Sequence, residues 1–254
     1  DGLTSEIGVL NDAGVELEDG FKDLSEQIPI TPEQLMRIGE LGGQLGVERE
    51  NLLEFTGVIA DITTATDLMA EEAAMGFAQF MNVMGTAQGD VDRLGSTIVS
   101  LGNNFATTEP QILAFAQRIG GAGAIAGLTE ADVLGIGAAM ASVGVEAEAG
   151  GTAVQKVLIA INSAVVSGDE TLQTFAATAG MTASEFAELW ERDAGQAFAG
   201  FVTGLGEQGD AALGTLGALE LNDQRLVRAF LSLANAGDLV TDATVKVRAG
   251  EQIR

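Results

Sequence analysis

Four times along the chain a threonine is followed three residues later by Gln, Asp or Glu at the head of an apolar run. The four sites are Thr31-Pro32-Glu33-Gln34, Thr108-Glu109-Pro110-Gln111, Thr129-Glu130-Ala131-Asp132 and Thr182-Ala183-Ser184-Glu185. A threonine hydroxyl can accept from the backbone N–H three residues on, while that residue's side chain reaches back to the threonine N–H, so the phrase opens helices. Proline in the first turn strengthens two of them, because its missing N–H has no helical partner to lose. Two of the phrases follow a glycine and an apolar residue, Gly127-Leu128 and Gly180-Met181. That order reads as a helix stop, a short turn and a new start.

Between these marks the apolar spacing is helical. Leu52, Phe55, Ile59 and Ile62 fall on one face, as do Phe77, Phe80, Met81 and Met84, and then Leu226, Phe230 and Leu233. The strand-like runs Ile98–Leu101 and Val157–Ile159 sit inside longer helical patterns. The expectation is an all-α fold of about ten to twelve Gly-punctuated helices, joined by the short connections usual in compact α proteins, with no sheet. Alanine is the commonest residue, there are 34 Gly, and only 11 Phe and 1 Trp supply aromatic bulk. Such helices approach closely and gain less from each contact than a Leu/Phe core.

Composition also removes whole classes of chemistry. There is no His, Cys or Tyr, which excludes His/Cys zinc sites, cysteine nucleophiles, Ser-His-Asp triads and disulfides. Lys plus Arg is 12 and Asp plus Glu is 37, a net charge of −25. That balance opposes stable nucleic-acid binding and docking on anionic lipid. The acidic stretch from Asp1 to Gly20 has no basic or apolar region of a signal peptide. The start at Asp1 rather than Met and the end at Arg254 read as an ordered piece of a longer chain. The quietest stretches, 94–108, 133–145 and 157–168, each stop at a charge and fall short of an uncharged membrane span of roughly 18 residues.

Three regions differ in composition: an amphipathic part, 1–90; an apolar Ala/Gly-rich part, 91–167; and a more charged part, 168–254. No Pro/Ser linker separates them, so one continuous folded region is expected, with a soft boundary near Gly168.

Candidate sites are few. Glu48 and Glu50 around Arg49, the pair Glu71-Glu72, and Asp90 and Asp92 are placed as helix-start acids, which face the positive end of the helix dipole. Asp90-Val91-Asp92 holds only fragments of a calcium loop. Gly120-Gly121-Ala122-Gly123 lacks the Lys-Ser/Thr of a phosphate loop and reads as a turn between helices. Two stripes of small residues, Gly135, Ala138, Ala139 and Ser142, and Gly200 with Gly204, allow backbone-to-backbone packing. They serve either the chain's own helices or contacts between copies. No cofactor, metal site or catalytic residue is expected.

One ordered set of motifs carries more. Leu53–Asp61 is followed by Leu101-Gly102-Asn103-Asn104, Glu109, Gln117-Arg118-Ile119, Gly127–Ala131 and Ala141–Ala153, the last including Gly150, Gly151 and Thr152. Phe175-Ala176 then leads to Ala179-Gly180-Met181-Thr182-Ala183-Ser184-Glu185-Phe186. Gly204-Leu205 and Leu221-Asn222-Asp223-Gln224-Arg225-Leu226 close the set. Over about two hundred residues this order resembles the helical region of phage tail tape measure proteins.

The resemblance implies a structural virion protein in the tail tube lumen or at the tail tip, assembled in the host cytoplasm. It implies roles in tail length determination, assembly and genome ejection. The partners it implies are other copies in a ring-symmetric homo-oligomer, the tail tube protein, tip or baseplate hub proteins and tail assembly chaperones, with host membrane contact during ejection. Members are usually much longer, so the ruler itself would lie in flanking helical sequence. Two alternatives stay open: a membrane-active segment centred on 94–167, and the tape measure of a phage-derived injection system or tailocin. No catalytic role is carried over.

Overall fold

The computed structural model describes residues 2–236 and 239–248. Asp1 and Arg254, the two chain ends, lie outside the described residues. Among the described residues there are fourteen α-helices, three 3-10 turns and no strand. The all-α expectation holds, with more helices than the ten to twelve read from the pattern. In chain order they are α1 (Gly2–Gln27), α2 (Pro32–Gln44), α3 (Leu52–Ala65), α4 (Ala70–Met84), α5 (Val91–Asn104), α6 (Glu109–Ala126) and α7 (Glu130–Ser142). Then come α8 (Ala147–Ser167), α9 (Glu170–Thr178), α10 (Ala183–Arg192), α11 (Ala194–Glu207), α12 (Ala212–Ala218), α13 (Gln224–Ala234) and α14 (Leu239–Arg248).

All four threonine phrases open helices. Thr31 caps α2, where its N–H donates to Gln34 Oε1 at 3.1 Å and its hydroxyl accepts from Gln34 N–H at 3.3 Å. Thr108, Thr129 and Thr182 do the same work for α6, α7 and α10. Three aspartates cap helices that the threonine pattern does not announce: Asp169 for α9, Asp193 for α11 and Asp223 for α13.

Four of the helix stops share one device. Gly127 is left-handed, and the next N–H, from Leu128, donates back to Gly123 O at 2.9 Å. The same reach-back joins Val47 to Gly42, Val145 to Met140 and Met181 to Ala176, each after a left-handed glycine. In every case an apolar residue follows the turn and folds back toward the helix it ends. Leu221 to Leu216 repeats the pattern at 2.8 Å, but there the left-handed residue is Glu220, at φ 58°.

The chain forms two compact units: residues 1–81 with 87–95, and residues 82–86 with 96–254. In the first unit α1, α2 and α3 pack on one another. Glycines on α2 make room for rings: a Cβ at Gly39 would meet Phe21, and one at Gly42 would meet Phe55. The second unit has α6, α7 and α8 as one packed group, with α11 touching α9, α10, α12, α13 and α14. Phe175, Phe186, Phe201 and Trp190 form its aromatic cluster. Phe175 meets Phe201 edge-on at 5.1 Å and Phe186 stacked at 6.5 Å.

One sequence expectation is corrected, and the structure adds to two others. Gly120–Gly123 is not a turn; it lies inside α6, which stops only at Gly127. The glycines there serve packing, since a Cβ at Gly123 would approach Val133 of α7 to 2.8 Å. The composition change at Gly168 marks the left-handed cap of α8, and the helices on both sides of it belong to the second unit. And one described helix, Ala147–Ser167, is long and apolar enough to cross a membrane by length and composition. Charge-free runs missed it because Glu148 near its start and Lys156 at its middle interrupt it. In the fold it is a core helix, with Val154, Val157, Leu158 and Ile161 fully buried.

Candidate functional site

A groove of about 730 Å³ gathers residues from the α9–α10 turn, α10, α11 and α14. Its walls include Gly180, Met181, Glu185, Leu189, Arg192 and Gly200, with Thr241 and Thr244 from α14. Local sequence dictates most of this. Gly180 takes the left-handed conformation at φ 72°, Met181 follows it into the groove, and Thr182 starts α10. Phe186 turns to the other side of α10, fully buried beside Phe175 and Trp190.

Two of the groove's acids, Glu185 and Asp193, are engaged in caps, and Glu188 accepts from the Ser184 hydroxyl at 3.2 Å. Glu185 Oε2 accepts from the Thr182 N–H at 2.9 Å and hydroxyl at 2.7 Å, and these bonds hold its carboxyl below the usual range. Asp193 Oδ1 accepts from Gln196 N–H at 2.9 Å. A general acid needs a carboxyl pushed up and aimed at a substrate, and Glu185 is moved the opposite way. Among the described residues Asp61 is a carboxyl that is pushed up, and it belongs to the first unit, where burial and then the charge of Asp92 raise it.

The other sequence-selected residues also prove to be turns, caps and close contacts. Leu101 is buried at the end of α5, and Gly102 leaves space for the Glu109 side chain at the start of α6. Asn103 is exposed, and Asn104 Nδ2 donates to Ser100 O at 2.8 Å. Gly150 lets α8 meet the ring of Phe115, and Gly151 lies under the stem of Arg118. Thr152 donates to Glu148 O at 2.8 Å. Asn222 and Arg225 flank the cap Asp223, whose Oδ1 accepts the N–H groups of Arg225 and Leu226 at 3.0 and 3.2 Å. Those bonds, with Lys156 and Arg225 nearby, lower the Asp223 carboxyl. Thr152 and Arg225 share the wall of a small cavity of about 150 Å³ with Glu148, Lys156 and Asp223.

The small-residue stripes are occupied within the chain. Gly135 is crossed by α14 at Ala243 and Thr244, and Ala138 and Ala139 are fully buried. Ser142 donates to Ala138 O at 2.7 Å. Gly204 lies so close to Thr178 that a Cβ would collide with its backbone carbonyl, while Gly200 faces Ala179 and Met181 more loosely. Of the two uses open in the sequence, the fold employs these positions for intrachain packing.

Of the acids singled out in the sequence, Glu71 and Asp90 make surface ion pairs, while Arg49 pairs with Glu16 rather than with Glu48 or Glu50. Arg49 meets Glu16 at 2.9 Å, Arg37 meets Glu71 at 2.5 Å, and Arg93 meets Asp90 at 3.3 Å. Among the described residues no group of three or more acidic side chains is placed to hold a metal ion. Sequence reasoning missed Asp132. It is buried, and its carboxylate accepts from the Thr129 N–H and hydroxyl at 3.0 and 2.7 Å. It also lies against the first turn of α11, where a Cβ at Gly195 would strike it. The signal was its place in the Thr129 phrase, but its burial depends on α11, distant in sequence.

With the turns and caps placed in the fold, residues 18–213 match a model of phage-related minor tail proteins. The chain belongs to that family. No curated protein and no solved structure matches it. The minor tail protein match runs from within α1 to the start of α12 and contains the Gly102–Glu109, Gly150–Phe115 and Thr182–Glu185 contacts. Helices α13 and α14 follow the matched span. Membership makes the chain a phage tail protein with a structural role.

Proposed function

We propose that this minor tail protein segment is the folded part of a tail tape measure protein. It would lie in the tail tube lumen or at the tip and act in tail length determination, assembly and genome ejection. The observation that carries the reading is the succession of left-handed stops at Gly46, Gly85, Gly127, Gly144, Gly168, Gly180 and Gly209. As one continuous helix 254 residues would reach about 380 Å; folded back at each stop, the segment cannot serve as the ruler. It fits a plug or anchor whose flanking helices set the length. The ordered motifs from Leu53 to Leu226 support the tape measure assignment within the family.

The proposed partners are further copies of the chain, the tube protein, tip or hub proteins and assembly chaperones. The net charge of −25 suits a protein that precedes DNA through the tube without holding it. The segment is proposed to have no enzymatic activity.

The test is genetic and visual. In-frame deletions in helical sequence flanking this segment should shorten the tail in proportion to the residues removed. Unfolding the segment with Gly204→Val should abolish tails rather than shorten them. An epitope tag on the segment should be found at a tail end or in the lumen by electron microscopy. Tails of normal length without the protein would overturn the reading.

A second reading rests on α8, the helix apolar enough to span a bilayer. After release it would leave the core and enter the host membrane. Dye leakage from vesicles exposed to the purified chain would favour it; intact vesicles would remove it.

A further inference from the structure

The two longest stretches without Asp or Glu are residues 110–129 and 149–168, and they form α6 and α8. These two helices pack side by side. Phe115 lies on Gly150, and three residues on Arg118 lies on Gly151, with Arg118 O accepting from Gln155 Nε2, so both helices advance in the same direction. Their outer surface bears Ile125, Ile159 and Val166, which are 76%, 59% and 81% exposed. Elsewhere the chain is strongly acidic, and two copies meeting there repel.

The exposed side of α8 has a further order. Lys156, Ile159, Ser163 and Val166 follow one another at intervals of three, four and three, the spacing of a helix-pairing seam. All four are exposed. Just past the helix stand the exposed acids Asp169 and Glu170. An antiparallel crossing of two copies centred between Asn162 and Ser163 places Ile159 of each opposite Val166 of the other. The same register brings Lys156 of each to the end of the partner's α8, where the chain turns at Gly168 into Asp169 and Glu170. Apolar matches apolar and cation matches anion at both ends, and the small Ser163 at the centre lets the backbones approach. No such match arises with the helices parallel and in register, where Lys156 would face Lys156.

From this we infer that the exposed seam of α8 is a self-pairing surface, on which two copies of this chain join about a two-fold axis near Ser163. The pairing is isologous, each copy offering the same patch. A two-fold pair has no direction along a polar tube, so it is a form of the free chain that covers Ile159 and Val166 before assembly. The inference stands apart from the tape measure reading, because it rests on α8 alone.

Sedimentation equilibrium of the 254-residue chain tests it. A small seam of this kind predicts a concentration-dependent dimer at about 100 μM. The double change Ile159→Asp with Val166→Asp should give a monomer with unchanged far-UV circular dichroism. Lys156→Glu should weaken the dimer about tenfold, and adding Glu170→Lys should restore it. The chain has no cysteine, so Ser163→Cys offers a direct reading: mild oxidation should link two copies far faster than with Ser184→Cys on α10. A monomer at all concentrations, a trimer or hexamer, a dimer indifferent to the aspartates, or equal cross-linking at 163 and 184 would each overturn the inference.

Discussion

The two compact units solve the same problem, packing helices poor in large side chains, by different means. The first unit, residues 1–81 with 87–95, carries 19 acidic and 4 basic residues. All four cations, Lys22, Arg37, Arg49 and Arg93, are held in surface ion pairs. Its glycines mostly make room for side chains, as Gly39 does for Phe21. The second unit carries 18 acidic and 8 basic residues. Among its described residues Arg118, Lys156, Arg192, Arg225 and Arg228 make no ion pair within 4.0 Å. It is held by an aromatic cluster and by glycines that meet backbone directly: Gly204 against Thr178, Gly206 against Ala234, Gly135 against α14. Side chains can shift by rotamer; backbone cannot without moving a helix. The second unit is therefore the less forgiving of substitution.

The largest expected effect lies in its aromatic cluster. Phe201→Ala removes a fully buried ring that touches Phe175 and should cost about 3–5 kcal/mol. Trp190, the chain's one tryptophan, is buried in the same cluster. Its fluorescence in a urea titration reads this unit directly, and a midpoint unchanged by the substitution would break the account of the cluster.

The next prediction sets one alanine against another. Gly204→Ala drives a methyl into the Thr178 carbonyl and should destabilise by about 3 kcal/mol. Gly57→Ala on α3 of the first unit meets only Leu24 at 3.5 Å. There the gain in helix propensity should stabilise by about 0.5–1 kcal/mol. Thermal unfolding of both variants sharpens the comparison, and equal shifts of the same sign would end it.

Glu220 occupies the left-handed position that glycine holds at the other stops. Glu220→Gly relieves that backbone and should raise stability by about 1 kcal/mol, seen as a higher urea midpoint of tryptophan fluorescence.

Acid should act oppositely on the two units through their shifted groups. Asp169, Glu185 and Asp223 in the second unit have lowered pKa values, chiefly from hydrogen bonds to their caps. Their contribution is complete above the unfolded carboxylate values. It is lost as pH falls through the lower folded ones. Asp61 in the first unit is raised by burial and Asp92. Its ionised form is disfavoured in the fold, so protonation there adds stability as pH falls through its folded value toward the unfolded one. Amide hydrogen exchange followed from about pH 5 down to about pH 2.5 should show α9, α10 and α13 losing protection before α3 does. The smallest effect belongs to Arg37→Ala: its pair with Glu71 is exposed, so the thermal midpoint should barely move, and any shift should vanish in high salt.

What was legible in the sequence was local. Thr31, Thr108, Thr129 and Thr182 announce their helices because a cap is completed within three residues. Gly127-Leu128 and Gly180-Met181 announce stops because the left-handed turn is a property of one residue and its neighbour. The motifs that carry the family resemblance fall on the same kind of position, which is why the sequence placed the chain among tail proteins while offering no chemistry. Gly120–Gly123 misled because glycine has two uses. A turn and a close helix contact look alike until α7 is in place.

The sequence by itself determined an all-α chain, where its helices begin and most of where they stop, for each of these is settled within a turn of backbone. Tertiary structure alone decided what the small residues touch. Gly135 meets Thr244 and Gly204 meets Thr178, in pairs that no periodicity links. It also decided that Asp132 is buried and that the two acid-free runs lie side by side on α6 and α8. Such partners are chosen by how whole helices pack, and packing sums many weak contacts that no single residue announces.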